Sequence, residues 1–343
     1  MHQPYPGPPP KKGGALKWIL GGIALLAIIA LTVVLTITLS GHDNNGNGSA
    51  GGNTASGSDA EFASANDTGP ITIITEDPSC AAWSPVVNTL SDNSKRNGWS
   101  ERNASVPASA WSPEQRRQFQ EVGDAMRAAT DQVEPLIKVT THRVMCQLYE
   151  QFIAYTSAYV DKIPTYTEPD NALARTSAQA SNTLTAICDA ITYRSAASRA
   201  PLVPAAPSPA NVAAVSGASN PERFLTSPDP VCPDWVAAAD QFESDTADWR
   251  QVTNVNIPIS EWTPEQKAAT DAVLPLMRQS ADTMENLGQR SENPVFHDFA
   301  QLAAQYRRAY AQALPTYSKA DRYLYDVGII PVGMIRRACE AAG

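Results

Sequence analysis

Histidine is scarce in this chain, at four residues in 343, and two of them, His2 and His42, fall near the N-terminus. That scarcity removes most arrangements for general acid–base or metal chemistry. No Gly-x-Ser-x-Gly elbow, His-Glu-x-x-His, phosphate-cradling glycine loop or Cys-x-x-Cys occurs, so the corresponding hydrolase, metalloprotease, nucleotide-binding and redox classes have no support. Carboxylate pairs such as Asp240 with Glu243, or Asp245 with Asp248, are spaced as a solvated helix face would be. The expectation is a protein with no catalytic residue, cofactor or metal, and not an enzyme.

Positive charge is also in deficit. Lys and Arg number 26 against 35 Asp and Glu, a net charge of -9. Lys11, Lys12 and Lys17 are the only charged side chains before residue 40, so the remainder carries about -12. A surface of that sign repels phosphate backbones and excludes nucleic acid as a partner.

What the chain does contain is organised in blocks. Residues 1–17 form a Pro-rich tail too short to fold, with one Pro-x-x-Pro at Pro6 to Pro9. Residues 18–39, Trp18 to Leu39, hold no ionisable side chain and as a helix would extend roughly 33 Å, enough to cross a bilayer. The run exceeds the apolar region of a cleaved signal peptide. Lysines ahead of it and none just after it place the N-terminus in the cytoplasm and the rest outside, in a single-pass plasma-membrane topology. Residues 40–77 are rich in Gly, Asn and Ser and serve as a flexible tether.

Two repeats follow, at 78–194 and 232–343, joined by a Pro- and Ala-rich linker at 195–231. Adding 151 to a position in the first gives its partner in the second: Trp111 to Trp262, Val122 to Val273, Tyr155 to Tyr306, Tyr159 to Tyr310, and Cys188 to Cys339. Val122, Met126, Ala129, Val133 and Leu136 keep a 4-3-4-3 spacing that their partners repeat, which marks the buried stripe of a helix. The phrases SAWSPEQ and SEWTPEQ are helix starts. Ser112 or Thr263 is the N-cap, Pro113 or Pro264 the first helical residue, and Gln115 or Gln266 completes a capping box. The predicted fold is all-α, with one N-terminal transmembrane helix and two tandem, repeat-related bundles of about four helices each.

Five cysteines lie after the apolar span. The outer ones are separated by 108 residues in the first repeat and 107 in the second, which predicts disulfides Cys80–Cys188 and Cys232–Cys339 in an oxidising compartment. Cys146 remains as a buried free thiol. Its repeat partner is His297, and His142 precedes it by one helical turn, but two such groups on a helix do not make a metal site.

Two weaker signals concern binding. Tyr155, Tyr159, Tyr306 and Tyr310 recur at helical spacing and offer a candidate strip for a lipid or glycan, although tyrosines so placed more often form a core edge. Tyr166 to Asp170 and Tyr317 to Asp321 both fit Tyr-x-x-x-Asp, which resembles part of the actinobacterial type VII secretion signal. The favoured role for those aspartates is to cap the fourth helix of each repeat.

The order PYPGPPPKK, single apolar span, Gly/Asn/Ser tether and acidic Ala-rich exported region resembles the single-pass, Pro-rich-tailed cell-envelope proteins of unknown function of mycobacteria and related actinobacteria. The resemblance implies an envelope setting without assigning an activity. Membrane-anchored extracytoplasmic binding or scaffolding is the first functional expectation, with another envelope or membrane protein as partner. A lipid- or glycan-binding accessory domain for an envelope transporter is the alternative, and an unrecognised enzyme ranks third.

Overall fold

A computed structural model describes residues 62–214 and 220–343. The tail, the apolar span at 18–39 and most of the tether lie outside the described residues. No helix among the described residues is long and apolar enough to cross a membrane.

Both repeated Trp-Ser/Thr-Pro-Glu-Gln phrases start helices. Ser112 Oγ accepts from Gln115 N at 3.1 Å while Gln115 Oε1 accepts from Ser112 N at 3.0 Å. Thr263 and Gln266 form the same box. The tryptophan ahead of each cap folds back, its indole N–H donating to Val106 O or Ile257 O, which are equivalent residues.

The first repeat comprises α1 (Cys80–Arg96), α2 (Pro113–Thr130), α3 (Glu134–Val139), α4 (Arg143–Lys162) and α5 (Asn171–Thr192), followed by a short α6 (Ser195–Arg199). The second comprises α7 (Cys232–Asp245), α8 (Ala247–Val252), α9 (Pro264–Arg290), α10 (Pro294–Ala313) and α11 (Arg322–Ala342). No strand occurs among the described residues. The copies differ at their second helix: α9 runs unbroken through Pro275, whereas the first copy breaks into α2 and α3 just ahead of Pro135. The predicted stripe is buried in both copies.

Aromatic packing repeats with the helices. Trp99 meets Tyr159 edge-on at 6.3 Å, and Trp249 meets Tyr310 at the same distance; Trp111 lies over Tyr166 at 5.5 Å and Trp262 over Tyr317 at 5.1 Å. Both predicted disulfides are formed, Cys80–Cys188 and Cys232–Cys339, and each joins the first helix of a repeat to the last.

Two expectations are corrected. Asp170 and Asp321 do not cap the fourth helices. Each carboxylate turns back into the short 3-10 turn before the helix, where it accepts from the backbone N–H and hydroxyl of Thr167 or Ser318. The linker at 195–231 is no spacer in its described parts. Arg199 forks onto Asp321 and also reaches Thr316. The Phe224 N–H donates to Gln151 Oε1 at 2.8 Å, and Phe224 and Leu225 are buried. Apolar side chains among the prolines gave this segment something to bury, and it covers the join between repeats.

All the described residues belong to one compact unit, Ser58–Gly343. Its most extensive helix packing is between α5 and α11, one from each repeat, and α4 also meets α10. The strands of chain leading into each repeat cross over. Ile74, ahead of the first repeat, bonds Tyr306 of the second, its N–H donating to the hydroxyl at 3.1 Å; Tyr155 of the first repeat donates to the carbonyl of Leu225, the residue equivalent to Ile74.

Replacing Cys188 by Ser opens a 108-residue loop and should lower the unfolding free energy by about 2–5 kcal/mol. Chemical denaturation of the full chain with and without reductant checks this. The variant should match the reduced wild type only if the Cys232–Cys339 bond adds nothing, so an intermediate curve is expected.

Candidate functional site

The tyrosines offered as a candidate lipid or glycan strip lie in the interior. Tyr155, Tyr159, Tyr306 and Tyr310 are all fully buried, because their helices α4 and α10 are the central ones and are covered on every side. Tyr155 and Tyr306 serve as docking points for the crossing arms. Tyr159 and Tyr310 belong to the aromatic clusters, and their hydroxyls have no hydrogen-bond partner among the described residues. Burial pushes the phenol of each well above its ordinary range.

Two aspartates that escaped the sequence reading set those arms. Asp77 and Asp229 each open an Asp-Pro-x-Cys phrase. Oδ1 of each accepts from the backbone N–H two residues on, and Oδ2 accepts from Thr140 or Ser291, which are themselves equivalent. The repeated phrase was the available signal.

At the join, Gln147 and Asp298 occupy equivalent positions of α4 and α10 and meet directly, Nε2 donating to Oδ2 at 2.8 Å. Arg143, one turn earlier on α4, forks onto the same carboxylate at 2.8 and 3.0 Å. Its guanidinium also donates to the carbonyls of Asp67 and Gly69. Burial works to pull Arg143 down, but Asp298 outweighs it and holds the guanidinium above its usual value. Burial likewise pushes the Asp298 carboxyl up; the neighbouring His297, Arg143 and Gln147 overcome that and keep it below the ordinary carboxylate range. His297 Nδ1 is 3.5 Å from Asp298 Oδ1, so it pairs by charge only when protonated.

Cys146 sits beside this cluster, 1% exposed and unpaired with another sulfur. Burial, with the nearby Glu150 carboxylate adding to it, drives its thiol up to about 12. At neutral pH it carries essentially no thiolate and is a poor nucleophile. Among the described residues no group of His, Cys, Asp and Glu is placed to hold a metal ion.

An open cleft of about 360 Å³ lies elsewhere, between α7, α8, α10 and α11, with Gln179 of α5 at its edge. Phe242, Ile329, Ile330 and Val332 supply apolar surface, and Arg250, Arg307, Arg336 and Arg337 supply charge. No sequence expectation covered this site. A broader signal was present in the comparison of the copies, since Arg307 and Gly328 replace Thr156 and Ser177 of the first repeat.

The chain belongs to the family of mycobacterial ESX-1 associated proteins, whose model matches residues 62–343. An uncharacterized protein of Mycolicibacterium smegmatis (strain MKD8) is 45% identical over 346 residues, covering 99% of this chain and 90% of that protein. No solved structure matches the chain.

Substituting Asp298 by Ala leaves the buried Arg143 with only the partly exposed Asp67 carboxylate, 3.7 Å away, as counter-charge and should cost about 3 kcal/mol, measured by urea unfolding. The pH dependence has a definite sign. A carboxyl held below its unfolded value stabilises the fold above that value, near pH 4, and the contribution disappears as pH falls through the lower folded value. Wild type should therefore lose stability below about pH 4 more steeply than Asp298→Asn. For Cys146, iodoacetamide at pH 7.5 should leave the native chain unlabelled and label one thiol after unfolding without reductant; native labelling would contradict its burial.

Proposed function

We propose that the chain is a membrane-anchored, extracytoplasmic binding or scaffold protein of the cell envelope that acts with the ESX-1 secretion system through a protein partner. The observation that carries this reading is the pair of disulfides, one closing each repeat, since such bonds persist in oxidising compartments outside the cytoplasm. The apolar span at 18–39 with lysines on one side supports an inside N-terminus. Family membership supports the association with ESX-1.

The reading assigns no catalysis. Of the groups with displaced proton affinity, Arg307 and Tyr325 line the open cleft, and at neutral pH the guanidinium stays cationic and the phenol protonated, so neither is a base. A lipid- or glycan-binding accessory role is the second reading, favoured by the apolar and cationic lining of the open cleft.

Protease added outside intact mycobacterial cells whose outer layers have been permeabilised should cut the tether between residues 40 and 61 and release a fragment stable to further digestion. Protection of the tether would refute the topology. Crosslinking of the full chain in membranes, followed by purification, should enrich ESX-1 components over a control carrying the same anchor and tether alone. Equal recovery from both would remove the partner claim.

A further inference from the structure

Arg307 is 2% exposed and projects from the central helix α10. Its Nη1 bonds Ser280 Oγ, its Nη2 donates to Gly328 O at 2.9 Å, and its guanidinium lies 4.2 Å over the Phe242 ring. Nε has no hydrogen-bond partner, and no carboxylate among the described residues forms an ion pair with the group. Burial lowers its affinity for the proton, to about 10, which still leaves it cationic at neutral pH. An uncompensated buried guanidinium is costly and needs a reason.

The first repeat shows what a purely structural solution looks like. There Thr156 and Ser177 share a neutral hydroxyl hydrogen bond of 2.6 Å. In the second repeat the serine's place is taken by Gly328, where an added Cβ would stand 3.1 Å from the backbone N of Arg307. The second copy has thus exchanged a self-satisfied neutral pair for a cation beside an opening.

Arg250 lines the same cleft. Its guanidinium bonds Thr246 Oγ1 and the carbonyl of Glu243, and no carboxylate ion pair forms on it among the described residues. Arg336 and Arg337 are matched by Asp240 and Glu340. Glu243 also lines the cleft and disfavours an anion there, so the unmatched charges are those of Arg250 and Arg307. On a chain of net charge -9, a local cationic pocket concentrates anions against the average field.

We propose that this cleft binds a phosphate group carried on an apolar chain, with the phosphate between Arg250 and Arg307 and the chain along Phe242, Ile329 and Ile330. Charge-assisted donors suit a phosphate oxygen, and the apolar wall would have no role for a free ion. This inference is independent of the scaffold reading and of the membrane topology.

Calorimetric titration of the full chain in non-ionic detergent tests it, with hexyl phosphate, inorganic phosphate and hexanol as probes. Hexyl phosphate should bind saturably at one site, inorganic phosphate about tenfold or more weakly, and hexanol not at all. Arg250→Gln, at the more exposed edge, should weaken hexyl phosphate by about tenfold or more with an unchanged melting temperature. Arg307→Met should do the same, and Arg307→Lys should retain part of the affinity if the fold is intact. Equal affinity for hexyl and inorganic phosphate would overturn the role of the apolar wall. Absence of saturable phosphate binding, or binding indifferent to Arg250→Gln, would overturn the site.

Discussion

Asp298 is completely buried and ionised, so it must be matched by charge and by donors at a fixed place in the interior. The matching groups, Arg143 and Gln147, come from the other repeat. That requirement couples the halves in register: sliding α10 along α4 by one turn would leave the Asp298 carboxylate in the interior without its cation, at a cost of several kcal/mol. Arg143 then extends the constraint outward, since the carbonyls of Asp67 and Gly69 satisfy the rest of its donors and fix the chain that enters the first repeat.

Around that centre the duplication explains the architecture. A bundle copied in tandem inherits one apolar face per copy in addition to its own core, and two such faces are buried most completely against each other. The meeting of equivalent residues Gln147 and Asp298, and the reciprocal contacts of Ile74 with Tyr306 and Leu225 with Tyr155, show an approximate twofold relation between copies. Crossing arms make each repeat depend on the lead-in segment of the other. The pairing of α5 with α11 packs the last helices of the two repeats against each other, each tied by a disulfide to the first helix of its own repeat.

Once both copies were held in this way, positions away from the join were free to diverge. Thr156 with Ser177, and Arg307 with Gly328, are the clearest case, one pair self-contained and the other leaving cationic donors beside an opening. Membership of the ESX-1 associated family and the two disulfides are the observations on which the proposed scaffold role rests.

Helical class, duplication, capped helix starts and cysteine pairing were all legible before any packing was known, because each is carried by local spacing or by a repeat that compares one stretch with another. Capping boxes close within four residues, and the apolar stripe follows the helical period, so both are legible without knowing what the helices touch. Long-range packing settled that Tyr155 and Tyr306 are interior docking points and that the linker is packed, while Asp170 and Asp321 bond their own 3-10 turn. Packing alone decided that Arg143 belongs to Asp298, 155 residues away, and that Arg250 and Arg307 share a cleft. Burial and charge pairing depend on which faces meet across the join, and that choice is made by the packing of two whole bundles, which no window of sequence contains.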